Sequence, residues 1–151
     1  MRLKTILLVL AGLLVLIQFV PVQRTNPLAE QEIEPPPEVQ TILETSCYDC
    51  HSHRTHWPWY AYVAPVSWLV AHDVKEAREH LNFSRWNRYE SDERRNKVEE
   101  IWEEVEEGEM PLWYYLPLHP IARLSQEQLT ALRHWVEAYD DRDSLKAMTS
   151  E

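Results

Sequence analysis

The 151-residue chain contains only two cysteines, two glycines and 15 lysines and arginines, and each shortage excludes a class of protein. Two cysteines cannot staple the small secreted scaffolds that depend on dense disulfides. Gly12 lies in an apolar N-terminal run, which leaves Gly108 alone in the remainder; dinucleotide fingerprints and phosphate-binding P-loops need several glycines and are excluded. Arg2, Lys4 and Arg24 precede residue 25, and from there on 12 basic residues stand against 25 acidic ones, a balance of -13. Nucleic acid is therefore a poor partner, because phosphate neutralisation needs a basic face, whereas a basic protein partner remains compatible. Apolar residues are not short: 44% of the chain is hydrophobic and seven residues are tryptophan. That content can bury a core and excludes wholesale disorder. The roughly 115 to 125 residues beyond the apolar run suit one domain and leave no room for a second catalytic module.

Ile6 to Ile17 are twelve uninterrupted apolar or small residues, and Thr5 to Val22 extends the run to eighteen. This exceeds a typical signal-peptide core and just suffices for a membrane span. Arg2 and Lys4 hold the N-terminus in the cytoplasm by the positive-inside rule and send the rest across. No small-residue cleavage site follows, so residues 1–22 read as a signal anchor, or transmembrane helix. This places the remainder on the periplasmic, extracytoplasmic side of the cytoplasmic membrane. Residues 23–37 (QRTNPLAEQEIEPPP) are polar, acidic and proline-rich, and read as a semi-extended tether. A folded unit is expected over 38–140 and a polar tail over 141–151.

Four helical stretches are expected in the folded unit, and no strand pattern or internal repeat accompanies them. The first, about 37 to 46, places Val39, Ile42 and Leu43 on one face and runs into the cysteines. The second, about 66 to 80, carries Val66, Leu69, Val70, Val74 and Ala77. The third begins at Ser91, expected as N-cap, and presents Val98, Ile101, Trp102 and Val105 before Gly108 stops it in a left-handed conformation. The fourth opens on a capping box from Ser125 to Gln128 and presents Leu129, Leu132, Val136 and Tyr139.

Both cysteines occur in Cys47-Tyr48-Asp49-Cys50-His51, the C-x-x-C-H signature of c-type haem attachment. Two thiols one helical turn apart can add to the two vinyl groups along one porphyrin edge, and the adjoining imidazole can bind iron from beneath the ring. A redox dithiol is expected after a strand, and none precedes Cys47. Zinc could recruit Cys47, Cys50 and two of His51, His53 and His56, but structural zinc pairs usually come from separated knuckles. The pattern points to one covalently attached haem c. Iron then needs a distal ligand. Met110, in Gly108-Glu109-Met110-Pro111 just past a helix stop, can reach the distal face from uncommitted backbone, and His/Met ligation raises the reduction potential relative to two histidines. His72 and His119 are the rival distal ligands. His53 and His56 are expected on the proximal side or the surface, and His80 and His134 on polar helix faces.

A helix leading into C-x-x-C-H, central helices, a G-x-M-P loop and a terminal helix beginning L-S-x-x-Q resemble a class I cytochrome c. The interior from Trp57 to Trp86 (WPWYAYVAPVSWLVAHDVKEAREHLNFSRW) is more specifically similar to the bacterial cytochrome-c-like haem-binding domain family. The resemblance covers about Glu38 to Tyr139. It implies an all-α, cytochrome c-like fold, covalent haem through Cys47 and Cys50, proximal His51 and, by position in the G-x-M-P loop, distal Met110. The first helix lacks the glycine often found where the terminal helices of cytochromes c cross, and the central segment is unusually bulky.

The aromatic residues Trp57, Trp59, Tyr60, Tyr62 and Trp68 are expected to pack against the porphyrin and fill the core. Trp113, Tyr114 and Tyr115 are expected to cover the distal face or donate hydrogen bonds near it. Glutamates 99, 100, 103, 104, 106, 107 and 109 read as a solvated face, with docking of a basic redox partner as the functional alternative. The resulting expectation is a membrane-anchored electron carrier rather than a catalyst. Two alternatives remain open: a haem peroxidase or gas or redox sensor whose distal ligand is labile, and a haem-free zinc-binding interaction module.

Overall fold

A computed structural model describes residues 2–149, with side chains as far as Tyr139, and its helices begin and end where local chemistry directs them. The elements are α1 (Arg2–Leu16), α2 (Pro37–Ser46), α3 (Tyr48–His51), α4 (Val66–His80), α5 (Ser91–Glu106) and α6 (Gln126–Thr149), joined by short 3-10 turns. The fold is all-α, and the only β pairing among the described residues is a single bridge between Gln31 and Arg85.

Pro37 occupies the first helical position of α2, where its missing N–H costs no helical hydrogen bond. The chain breaks from helical geometry at Cys47, so α2 spans the 37–46 expected of it, and resumes as the single turn α3. Glu90, in extended backbone, holds the N-cap position of α5 and makes no side-chain cap hydrogen bond. Ser91 is therefore already helical and makes no cap, contrary to expectation, while Asp92 and Glu93 sit in the first turn where the helix dipole favours them. The capping box of α6 forms as expected: the Ser125 N–H donates to Gln128 Oε1 at 2.9 Å and the Gln128 N–H to Ser125 Oγ at 3.2 Å. Beyond Tyr139 the backbone stays helical through Thr149, where a polar tail was expected; the end of that tail, 150–151, lies outside the described residues.

The core gathers where α5 and α2 pack against α6. Leu43, Phe83, Val98 and Leu132 are its most deeply buried side chains, joined by Tyr48, Trp86 and Trp135. Its aromatic rings thus come from outside the Trp57–Trp68 cluster. Within that cluster Trp59 is 74% and Tyr62 59% exposed. The reason is local: the 3-10 turn Trp59–Tyr62 buries only Ala61.

Residues 23–37 do not behave as a free tether. Ile33 is buried in the main core. The Glu30 and Ile33 N–H groups donate to Ser84 and Phe83 carbonyls at 2.9 and 3.1 Å, and the Trp86 N–H returns a bond to the Gln31 carbonyl at 3.0 Å. Glu30 also pairs with Arg85 and Arg88. One apolar side chain and backbone groups with free partners along 83–86 suffice to dock a segment whose composition has no periodicity. Arg78 completes the attachment, donating to the carbonyls of Thr25 and Ser52 at 2.8 Å each and to Thr55 Oγ1 at 2.8 Å.

Candidate haem site

Cys47 and Cys50 are one turn apart because the Cys50 and His51 N–H groups both fold back onto the Cys47 carbonyl, at 3.1 and 2.9 Å. His51 is then fixed from the segment after α4. Its Nδ1 bonds the Leu81 carbonyl at 3.1 Å, and its own carbonyl accepts from the Phe83 N–H at 2.8 Å. With Nδ1–H committed to a carbonyl, Nε2 is left as the lone-pair nitrogen suited to a metal. Burial lowers the His51 pKa, favouring the neutral imidazole that ligates metals.

Met110 is delivered by the end of α5. Gly108 takes φ 79°, its N–H reaches the Val105 carbonyl at 3.2 Å, and the Glu109 N–H reaches that of Glu104 at 3.0 Å. This is the Schellman pattern that only glycine enters without strain. The Met110 N–H shares the Glu104 carbonyl at 3.0 Å, and the peptide bond to Pro111 is cis.

Cys47, Cys50, His51 and Met110, the four residues expected at the site, line one cavity of about 820 Å³, walled mainly by apolar side chains from α4, α5 and the Met110 loop. This volume falls in the range of ligand pockets, about 300–1,000 Å³. The Ser46 hydroxyl on the same wall is buried with no hydrogen-bond partner. Both cysteines are free, and burial pushes each thiol up to about 12. Thiols held neutral in this way lack the depressed pKa of a redox dithiol. Among the described residues no group of three or more His, Cys, Asp or Glu is placed to hold a metal ion, so the donor set for zinc is not assembled.

The cavity is mainly apolar and lined by two thiols, an imidazole and a thioether, and these residues fit a haem. Residues 12–138 match a protein family described as the haem-binding domain. The chain belongs to that family. No curated protein and no solved structure matches the chain.

Within this haem-binding domain the remaining histidines separate clearly. His72 is largely exposed on α4, off the cavity wall, near Glu76. His119 also lies off the wall: its Nε2 is hydrogen-bonded to the Tyr60 hydroxyl at 2.6 Å, and its ring stacks on Tyr115 at 4.0 Å. His53 is buried off the cavity wall between the Leu28 carbonyl and the Asn82 amide, His56 is exposed beside Asp49, and His134 is exposed on α6. His80 is exposed and pairs with Glu100 at 3.3 Å, yet it also borders the cavity.

The loop after Met110 divides in the same way. Tyr114 and Tyr115 line the cavity, their hydroxyls donating to Asp73 and Asp49 at 3.1 and 2.8 Å. Trp113 instead is 78% exposed and off the wall. Asp49 was missed by sequence reasoning. It stands between the cysteines, and the motif says nothing about which distant hydroxyl its carboxylate will meet.

Proposed function

We propose that the protein is a monohaem c-type cytochrome passing single electrons at the outer face of the cytoplasmic membrane. The observation that carries this reading is the convergence of both cysteines, His51 and Met110 on one cavity. Cys47 and Cys50 would hold the haem through two thioether bonds: each S–H would add across one vinyl C=C, sulfur to one carbon and hydrogen to the other, with no oxidant required. His51 is oriented by the Leu81 carbonyl to present Nε2, and Met110 presents its sulfur from the loop that Gly108 anchors. Haem supplies the one-electron couple; the chain supplies ligand choice, burial and docking.

Anchoring is supported by the helical span Arg2–Phe19, 18 residues of mean hydropathy 2.0 with none buried. Tethering raises effective concentration towards membrane partners without adding contacts. Docking of a basic redox partner is supported by Glu99, Glu103, Glu104, Glu106, Glu107 and Glu109, all exposed on or just beyond α5.

Protein produced together with c-type maturation machinery is expected to give a pyridine haemochrome spectrum, with colour that stays on the polypeptide through acidic organic extraction. No retained haem overturns the reading. Rapid stoichiometric binding of carbon monoxide to the reduced protein overturns the closed-carrier part of it.

A further inference from the structure

We infer that the 59–66 loop and the start of α4 rest on the lipid bilayer, so that the cavity wall containing Trp59 and Val66 faces the membrane. The inference rests on the reading of Arg2–Phe19 as a membrane span and extends it from the anchor to the domain.

Two features of different kind meet here. The first fixes depth. An 18-residue helix at 1.5 Å per residue is about 27 Å long, close to the ~30 Å hydrocarbon thickness. The part beyond the cytoplasmic Lys4, Thr5 to Phe19, is about 22 Å long, so Gln18 lies at or just inside the outer boundary of the apolar layer. Its amide is bonded twice to one residue of the folded domain: Nε2 donates to the Ala64 carbonyl at 3.1 Å, and Oε1 accepts the Ala64 N–H at 2.9 Å. Six residues later Arg24 donates to the Ala61 carbonyl at 3.1 Å and lies over the Tyr62 ring at 4.5 Å. The 61–64 backbone is thus held within a hydrogen bond's length of the membrane boundary, not on a free tether.

The second feature is the chemistry of what is held there. Residues 57–71 contain no Asp, Glu, Lys or Arg, inside an outer segment with a balance of -13. Trp59, Tyr62, Val63, Val66 and Leu69 are 74%, 59%, 45%, 43% and 48% exposed. Tryptophan and tyrosine are the residues enriched at membrane–water boundaries, where an apolar ring with one polar atom is best accommodated. An apolar patch of this kind in water is otherwise costly. Lipid covers it without any further partner. Trp59 and Val66 also border the cavity, so one side of the site opens towards the bilayer.

The test uses the full haem-loaded chain in vesicles of phosphatidylcholine alone, with a bimane label on single cysteines introduced as Trp59→Cys, Tyr62→Cys and Val63→Cys. Cys47 and Cys50 are consumed by haem attachment, and Tyr62 and Val63 lie off the cavity wall, so those two variants leave its lining intact. Leu10→Cys reports the anchor, and Glu93→Cys and Glu137→Cys report exposed surface. Each label is read as the ratio of quenching by chain-brominated lipid to quenching by aqueous iodide, which cancels any constant quenching by haem. The ratio at 59, 62 and 63 is expected to be several-fold above that at 93 and 137. If 59, 62 and 63 match 93 and 137 while 10 is lipid-quenched, the bilayer contact is overturned and the anchor stands. A label at 10 that is not lipid-quenched overturns the anchor and the contact together.

Discussion

Asp49 accepts a hydrogen bond from the Tyr115 hydroxyl at 2.8 Å and another from the His56 N–H at 2.8 Å. It thereby ties the cysteine turn on one side of the cavity to the loop following Met110 on the other. A hydrogen bond to a charged acceptor contributes about 1.5–3 kcal/mol. The Asp49 side chain is 26% exposed, and solvent screening moves the expectation to about 1–2 kcal/mol, a factor of roughly 5–30 in the folding equilibrium. Tyr115→Phe removes the hydroxyl and keeps the ring that stacks on His119. Asp49→Ala removes the acceptor, and its cost also includes the bond to His56. Urea unfolding of the parent, the two single variants and the double variant isolates the shared bond as a coupling energy of about 1–2 kcal/mol. With Met110 as the proposed distal ligand, Tyr115→Phe should also raise the rate at which added imidazole replaces it, because the loop carrying the thioether loses its tie to α3. Additive single effects, agreeing to about 0.3–0.5 kcal/mol, would refute the link.

Met110→Ala is expected to abolish the ferric sulfur-to-iron charge-transfer band while leaving haem attached; an unchanged spectrum removes Met110 as ligand. Phe83 is fully buried and stacks on Tyr48 at 5.2 Å, so Phe83→Ala should cost about 3–5 kcal/mol in urea unfolding. A loss below 1 kcal/mol would mean that the site collapses around the gap. At Gly108 an added Cβ meets nothing within 4 Å, so Gly108→Ala should cost only the left-handed strain, about 1–2 kcal/mol; no change in Tm would show that the turn has relaxed. Burial and the Asp73 carboxylate raise the Tyr114 phenol from 10.0 to about 12, and burial and Asp49 raise Tyr115 in the same direction. The protonated phenols are the hydrogen-bond donors, so their contribution is complete below pH 10 and is lost as pH rises through the folded-state values. The unfolding midpoint should fall on that alkaline limb and fall less in the Tyr114→Phe, Tyr115→Phe double variant; identical limbs would contradict it.

By itself the sequence determined the parts that local chemistry controls. Pro37, the Ser125–Gln128 box and Gly108 act through their own backbone, so three helix boundaries were legible without tertiary information. C-x-x-C-H was legible as a motif because its two thiols and imidazole are neighbours along the chain and need no tertiary contact to stand together. The Ser91 cap was misread because helical geometry begins one residue earlier than the serine suggests, with Glu90 in extended backbone at the N-cap position. Only the tertiary structure decided which aromatic rings enter the core, since Trp59 and Phe83 differ in surroundings and not in kind. It also decided that residues 23–37 dock, because their partners, the backbone of 83–86, the side chains of Arg78, Arg85 and Arg88 and the core around Ile33, lie about fifty residues away and no local pattern advertises them. The same holds for the cavity itself. Met110 lies 59 residues beyond His51 in the chain, and spacing carries no information about contact over that separation; α4 packs on α3, and the cavity lined by α3, α4 and the end of α5 brings the thioether and the imidazole to one space.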